Sequence, residues 1–137
     1  MTEKTYKLTV TESQLRLIAN AIEDWSRFLS GQCEMDNALL TIWNADLLEA
    51  REILSTKVKP HITPGLPLNS SYSWNGGRCP NKEQKKAIAM SYGIYREIRH
   101  YFATHPKDPD HWNCYQAPTL LDEQQGPLIE IEEYEGI

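Results

Sequence analysis

Three stretches of helical periodicity, with a proline- and glycine-rich gap before the last, set the limits on what this chain can fold into. The first opens at Thr11, whose hydroxyl is placed to cap a helix while Gln14, three residues on, returns the bond. Leu15, Ile18, Ile22, Trp25 and Leu29 then form a stripe that ends near Ser30, and Leu17, Ala21 and Phe28 widen the apolar arc beyond one narrow seam. An arc that broad implies contact with more than one layer or with another subunit. Gly31 stands where a left-handed C-terminal cap belongs. A second helix is expected from about Asp36 to Leu54, and the short link through Gln32 and Cys33 makes the pair an antiparallel hairpin. The third begins with Asn81 and Gln84 as another capping pair and runs to about Ala103. Gln84, Ile88, Ser91, Ile94, Tyr95, Ile98 and Phe102 form its inward face, and Pro106 and Pro109 prevent its continuation.

Between Ser55 and Pro80 the period dissolves. Four prolines and three glycines interrupt this stretch, yet it keeps Tyr72 and Trp74, which a flexible linker would rarely hold. It reads as a long ordered binding loop. Short alternating patterns flank the helices: Tyr6, Leu8 and Val10 against Thr5, Lys7 and Thr9, and Ile129 and Ile131 against Glu130 and Glu132. With a further strand around Trp112–Tyr115, the order becomes β-α-α-loop-α-β-β. Pairing the acidic last strand with Lys4 and Lys7 predicts a small antiparallel sheet made from the two ends. The expected class is therefore α+β, as a single domain over residues 1–137.

A chain of 137 residues with 40% hydrophobic content needs no staples to make a core. Cys33, Cys79 and Cys114 are odd in number and far apart, which reads as free thiols in a reducing compartment. The first residues lack an apolar signal core and no apolar run suits a membrane span, so the expected location is the cytoplasm. Charge is uneven: residues 61–107 carry seven Lys/Arg against two Asp/Glu, whereas residues 108–137 carry eight acidic and no basic residues. Either the acidic end folds back on the basic segment, or that segment faces an anionic ligand. A pI near 5.3 and the lack of any nucleic-acid motif argue against genomic DNA or RNA as a partner.

The polar side of the third helix carries the best chemical signal. Lys82, Lys85, Lys86, Ala89, Gly93, Arg96 and His100 share it, and glycine inside a helix costs about 1 kcal/mol relative to alanine. A bare Ala89/Gly93 notch therefore asks for a close neighbour: a ligand, or a second helix from another subunit. Gly76-Gly77-Arg78 delivers a turn and a cation to the start of the same helix, where free N–H groups favour phosphate. Tyr72, Trp74, Arg78 and the basic helix can stack on and neutralise a nucleotide. His100, His105, His111 and Cys114 match no zinc spacing, and no hydrolase motif is present, so neither a metal, a cofactor nor catalysis is expected.

The chain resembles a widespread family of short, largely uncharacterised proteins from tailed bacteriophages. The likeness rests on Ser26-Arg27-Phe28-Leu29-Ser30-Gly31-Gln32, on Ser71-Tyr72-Ser73-Trp74, on Ile94-Tyr95-Arg96-Glu97-Ile98-Arg99-His100, and on Pro118 with the acidic finish. Relatives tend to have glycine after the Ser-Tyr pair, where this chain has Ser73. The resemblance implies an accessory protein in the host bacterial cytoplasm that counters host defence. It would do so as an oligomer, sequestering a small anionic nucleotide-like signal of the cyclic or ADP-ribose type, or by blocking a host defence protein, with an enzyme acting on nucleotides as the third reading. No catalytic residue comes with it. The expected pocket joins Arg27, Gln32, Tyr72, Trp74, Arg78, Arg96, Arg99 and His100.

Overall fold

A computed structural model describes residues 3–42, 47–105, 114–118 and 122–135. Helix α1 spans Glu12–Ser30, α2 Asp36–Ile42, α3 Leu47–Ile53, α4 Lys59–Ile62 and α5 Lys82–Thr104. The Thr11–Gln14 capping box forms as expected, with both bonds present, and Gly31 closes α1 at φ 107°. Asn81 caps α5 by accepting the Gln84 N–H.

The described residues contain no strand, which overturns the α+β expectation. Residues 5–10 adopt no regular secondary structure, and Tyr6 is 85% and Leu8 79% exposed. Residues 128–135 likewise have no regular secondary structure, and the described residues of the two ends do not form the expected sheet. Alternation marks two chemically different faces of a segment; a sheet also needs a neighbour to take its N–H and C=O groups, and alternation does not supply one. Of the third expected strand, Trp112 and Asn113 lie outside the described residues, and Cys114–Gln116 forms a 3₁₀ turn. Local packing accounts for that turn, because it seats Tyr115 against Tyr95 of α5.

The second expected helix is also revised. It divides into α2 and α3, with residues 43–46 between them outside the described residues. The start of α2 depends on α1: buried Asp24 accepts from Asn37 N at 3.1 Å and Ala38 N at 2.8 Å. A carboxylate there satisfies two orphan donors and complements the helix dipole. Beyond Leu54, where a loop was expected, the chain stays helical to Ile62 through a π-turn at Leu54–Val58. A proline ring clashes with the carbonyl four residues back in a regular helix. The wider turn, in which Lys59 N–H bonds to Leu54 O, brings Pro60 in without breaking the helical path.

Helices α1 and α5 form the centre. Small polar residues line the α1 side, where Ser26 Oγ donates to Ile88 O at 3.3 Å. The other side of α5 is covered by Cys114–Gln116 and by a second 3₁₀ turn, Glu123–Gln125. The Ala89/Gly93 notch is filled by this chain itself: a Cβ on Gly93 would lie 2.6 Å from Gln125 Nε2. Ala89, Gly93 and Arg96 are consequently buried, although periodicity puts them on the polar face.

At the end of α1, a side chain on Gly31 would meet Thr63 Cγ2 at 2.6 Å in addition to the left-handed backbone penalty. Gly31→Ala is expected to cost about 2 kcal/mol or more, read as a fall in Tm of roughly 5 °C or more by differential scanning calorimetry. An unchanged Tm would contradict the packing described here.

Candidate functional site

Because the chain between Thr63 and Asn81 is anchored rather than loose, it can wall a cavity. Tyr72 N–H donates to Ser30 O at 2.8 Å, and the Tyr72 ring packs with Cys79 and Ile88 in the core. Gly76 adopts φ 77° and lies so near α5 that a Cβ would approach Lys85 O to 2.7 Å. Asn75 Nδ2 donates to Asp122 Oδ2 at 3.1 Å, joining this loop to the C-terminal segment.

These anchors leave a cavity of about 370 Å³ between α1, the loop, α5 and the 114–116 turn. Glu23, Ser26, Arg27 and Ser30 come from α1, with Gln32 just beyond; Tyr72 and Trp74 come from the loop, Tyr92, Tyr95 and Arg96 from α5, and Tyr115 from the turn. The rings form a connected series. Trp74 and Tyr92 have centroids 5.4 Å apart, Tyr92 and Tyr95 6.4 Å, and Tyr95 and Tyr115 6.1 Å at right angles.

Arg96 is the most informative wall residue. It is 9% exposed; Nη2 donates to Cys114 O at 3.0 Å, and buried Nη1 has no hydrogen-bond partner among the described residues. Leaving a charged donor desolvated and unpaired is costly, more so than for a neutral group. Its guanidinium also lies 4.8 Å from the centroid of Tyr115, while Arg99 holds the same ring at 4.6 Å.

Two ionisable groups in the wall are held away from their ordinary pKa values, Glu23 as a carboxylate and Tyr95 as a neutral phenol. Burial pushes the Glu23 carboxyl upward, but hydrogen bonds from Asn37 and Tyr95 and the charges of Arg27 and Arg99 outweigh it, so the group sits below its ordinary value. Asn37 Nδ2 donates to Glu23 Oε1 at 2.7 Å. Tyr95 is pushed well above its ordinary value by burial first, then by its bonds to Tyr115 and Glu23. The Tyr95 and Tyr115 hydroxyls lie 2.6 Å apart, and either can be the donor in that contact. The cavity is thus lined by a fixed carboxylate, the neutral Tyr95 phenol and the Arg96 guanidinium.

Five of the residues singled out from sequence meet here: Arg27, Gln32, Tyr72, Trp74 and Arg96. Arg99 and His100 stand behind the wall. His100 Nδ1 donates to Tyr115 O at 2.7 Å, so both brace Tyr115 rather than face the cavity. Arg78 is exposed and donates to Ser71 O at 3.0 Å, steadying the loop from outside. Glu23, Tyr92 and Tyr115 were not anticipated. A signal for part of this existed: Tyr92, Tyr95, Arg96 and Arg99 fall at i, i+3, i+4 and i+7, one aromatic-cationic stripe of α5.

Among the described residues no group of His, Cys, Asp and Glu is arranged to hold a metal, and no helix is long and apolar enough to cross a membrane. The three cysteines are free thiols, two of them buried. No protein-family model, curated protein or solved structure matches the chain.

The depressed Glu23 carboxyl gives a pH test. Its folded value lies below its unfolded one, so its contribution to stability is present above the ordinary carboxylate range and is lost as pH falls through the folded value. Thermal unfolding between about pH 5 and about pH 3 is therefore expected to show a steeper loss of Tm for the wild type than for Glu23→Gln. Parallel curves would show that Glu23 is not held as described.

Proposed function

We propose that this chain is a non-enzymatic binding protein that captures a small ligand bearing an aromatic ring and a phosphate group. The observation that carries the reading is Arg96, which lines a cavity walled by aromatic rings while its buried Nη1 has no hydrogen-bond partner among the described residues. A phosphate oxygen would satisfy that donor with a charge-assisted hydrogen bond, and arginine suits phosphate because its planar fork directs its donors. Trp74 and Tyr92 supply faces for a base. The cavity volume falls in the range typical of small-molecule sites.

Binding rather than turnover is favoured by the ionisable wall. A general acid or base works best with a pKa near the working pH, whereas Glu23 is held low and Tyr95 high. Together with the bacteriophage resemblance, this supports sequestration of a nucleotide-type defence signal. Exposed Leu17 and Trp25 on α1, with Tyr6 and Leu8 before it, suit a homo-oligomer. The same exposed side chains favour the second reading, an inhibitor that covers a host defence protein.

Isothermal titration calorimetry against nucleoside phosphates, with the matching nucleosides as controls, separates these readings. At least one phosphate is expected to bind far more tightly than its nucleoside. Arg96→Met is expected to weaken it by roughly tenfold to a hundredfold, the worth of a hydrogen bond to a charged group. Arg99→Ala is expected to have a smaller effect, acting through Tyr115 and the Glu23 carboxylate rather than by direct contact. Phosphates that bind no better than nucleosides, or an Arg96→Met protein that binds like wild type, would overturn the reading.

A further inference from the structure

On the other side of Arg27 and Gln32 lies a second cavity, of about 400 Å³, whose character is different. No aromatic ring lines it; Gln32, Asn69, Ser70 and Ser71 give it a polar wall, and Lys59 contributes from α4. Lys59 is only 4% exposed. Its Nζ donates to Thr63 Oγ1 at 2.9 Å and to Pro67 O at 3.2 Å, two neutral acceptors for three donors. Among the described residues no carboxylate comes within 4.0 Å of it.

The neighbouring groups do not balance this charge. Burial, then the charge of Glu34, pushes the adjacent Cys33 thiol up to about 11, so it stays neutral. Asp36 is engaged by Arg51 at 3.4 Å. Glu34 lines the cavity but makes no ion pair with Lys59. Gly31 presses on the site from α1, since a Cβ there would lie 3.5 Å from Lys59 Nζ. A buried ammonium with no counter-charge is expensive, and such groups are generally paired or hold a ligand.

We infer that the cavity at Lys59 is a second anion site, which takes a phosphate-class oxyanion on the remaining Lys59 donor. The rim guanidinium of Arg51 can assist, because its exposed pair with Asp36 is weak and can re-form around a ligand. The polar wall suits a hydroxylated ligand rather than a planar ring. This site does not depend on the aromatic cavity, and the two can be tested apart.

The test is a titration of the full-length protein with inorganic phosphate, followed by calorimetry and by NMR of the lysine side-chain ammonium groups. Phosphate is expected to bind the wild type and to shift the Lys59 ammonium resonance. Lys59→Met is expected to weaken binding about tenfold or more, the loss of one charge-assisted bond, while Arg96→Met leaves it in place. The inference is overturned if wild type binds no phosphate at millimolar concentration, if Lys59→Met binds like wild type, or if binding disappears only in Arg96→Met. Should Lys59→Met fail to fold, the wild-type resonance decides: a saturable shift supports the site, and a constant signal under saturating phosphate rejects it.

Discussion

A helix ends with carbonyl groups that have no partner within the helix, and at the end of α1 much of the molecule is arranged around that need. Gly31 N–H bonds to Phe28 O and Gln32 N–H to Arg27 O, while Gln84 Nε2 of α5 donates to Leu29 O at 2.7 Å and Tyr72 N–H to Ser30 O. The same Gln84 group reaches Ile62 O at 3.0 Å, so one side chain gathers the end of α1, the end of α4 and the start of α5. Both cavities open beside this junction and share Arg27 and Gln32. Their geometry therefore depends on how those carbonyls are satisfied.

The second constraint is the two-sided burial of α5. One face meets α1 and the other lies under the 114–116 and 123–125 turns. That cover desolvates Arg96 and brings Tyr115 over α5, which turns an amphipathic helix into the wall of a site. Gln125 shows the same effect at Gly93, where its buried side-chain amide makes no hydrogen bond among the described residues and packs against bare backbone. Close approach of polar side chains to α5 is thus a general property of this C-terminal layer.

Signals that act within one turn of chain were legible in the sequence. The caps at Thr11, Gly31 and Asn81 formed where the residues indicate, because capping needs only neighbours three or four residues away. Strand pairing was not legible, since the alternation of Tyr6 and Leu8 specifies a face but not a partner. The helical course of residues 54–62 was hidden because Pro60 signals a break, and the π-turn that accommodates it has no simple signature. Arg27, Gln32, Tyr72, Trp74 and Arg96 were found through chemistry and resemblance together. Tyr115 was missed because its place depends on long-range contact with α5, whereas the nearby sequence alternates like a strand.

The account turns on whether the aromatic cavity holds an intact phosphate-bearing ligand. Incubating the protein with a panel of nucleotide signals, removing the unbound fraction, heating, and identifying the released molecules by mass spectrometry tests this most directly. Recovery of one unaltered phosphate-bearing member, in amounts near one per cavity, is the predicted result. Release of a chemically altered product would contradict simple capture, and release of nothing would contradict the cavity as a binding site.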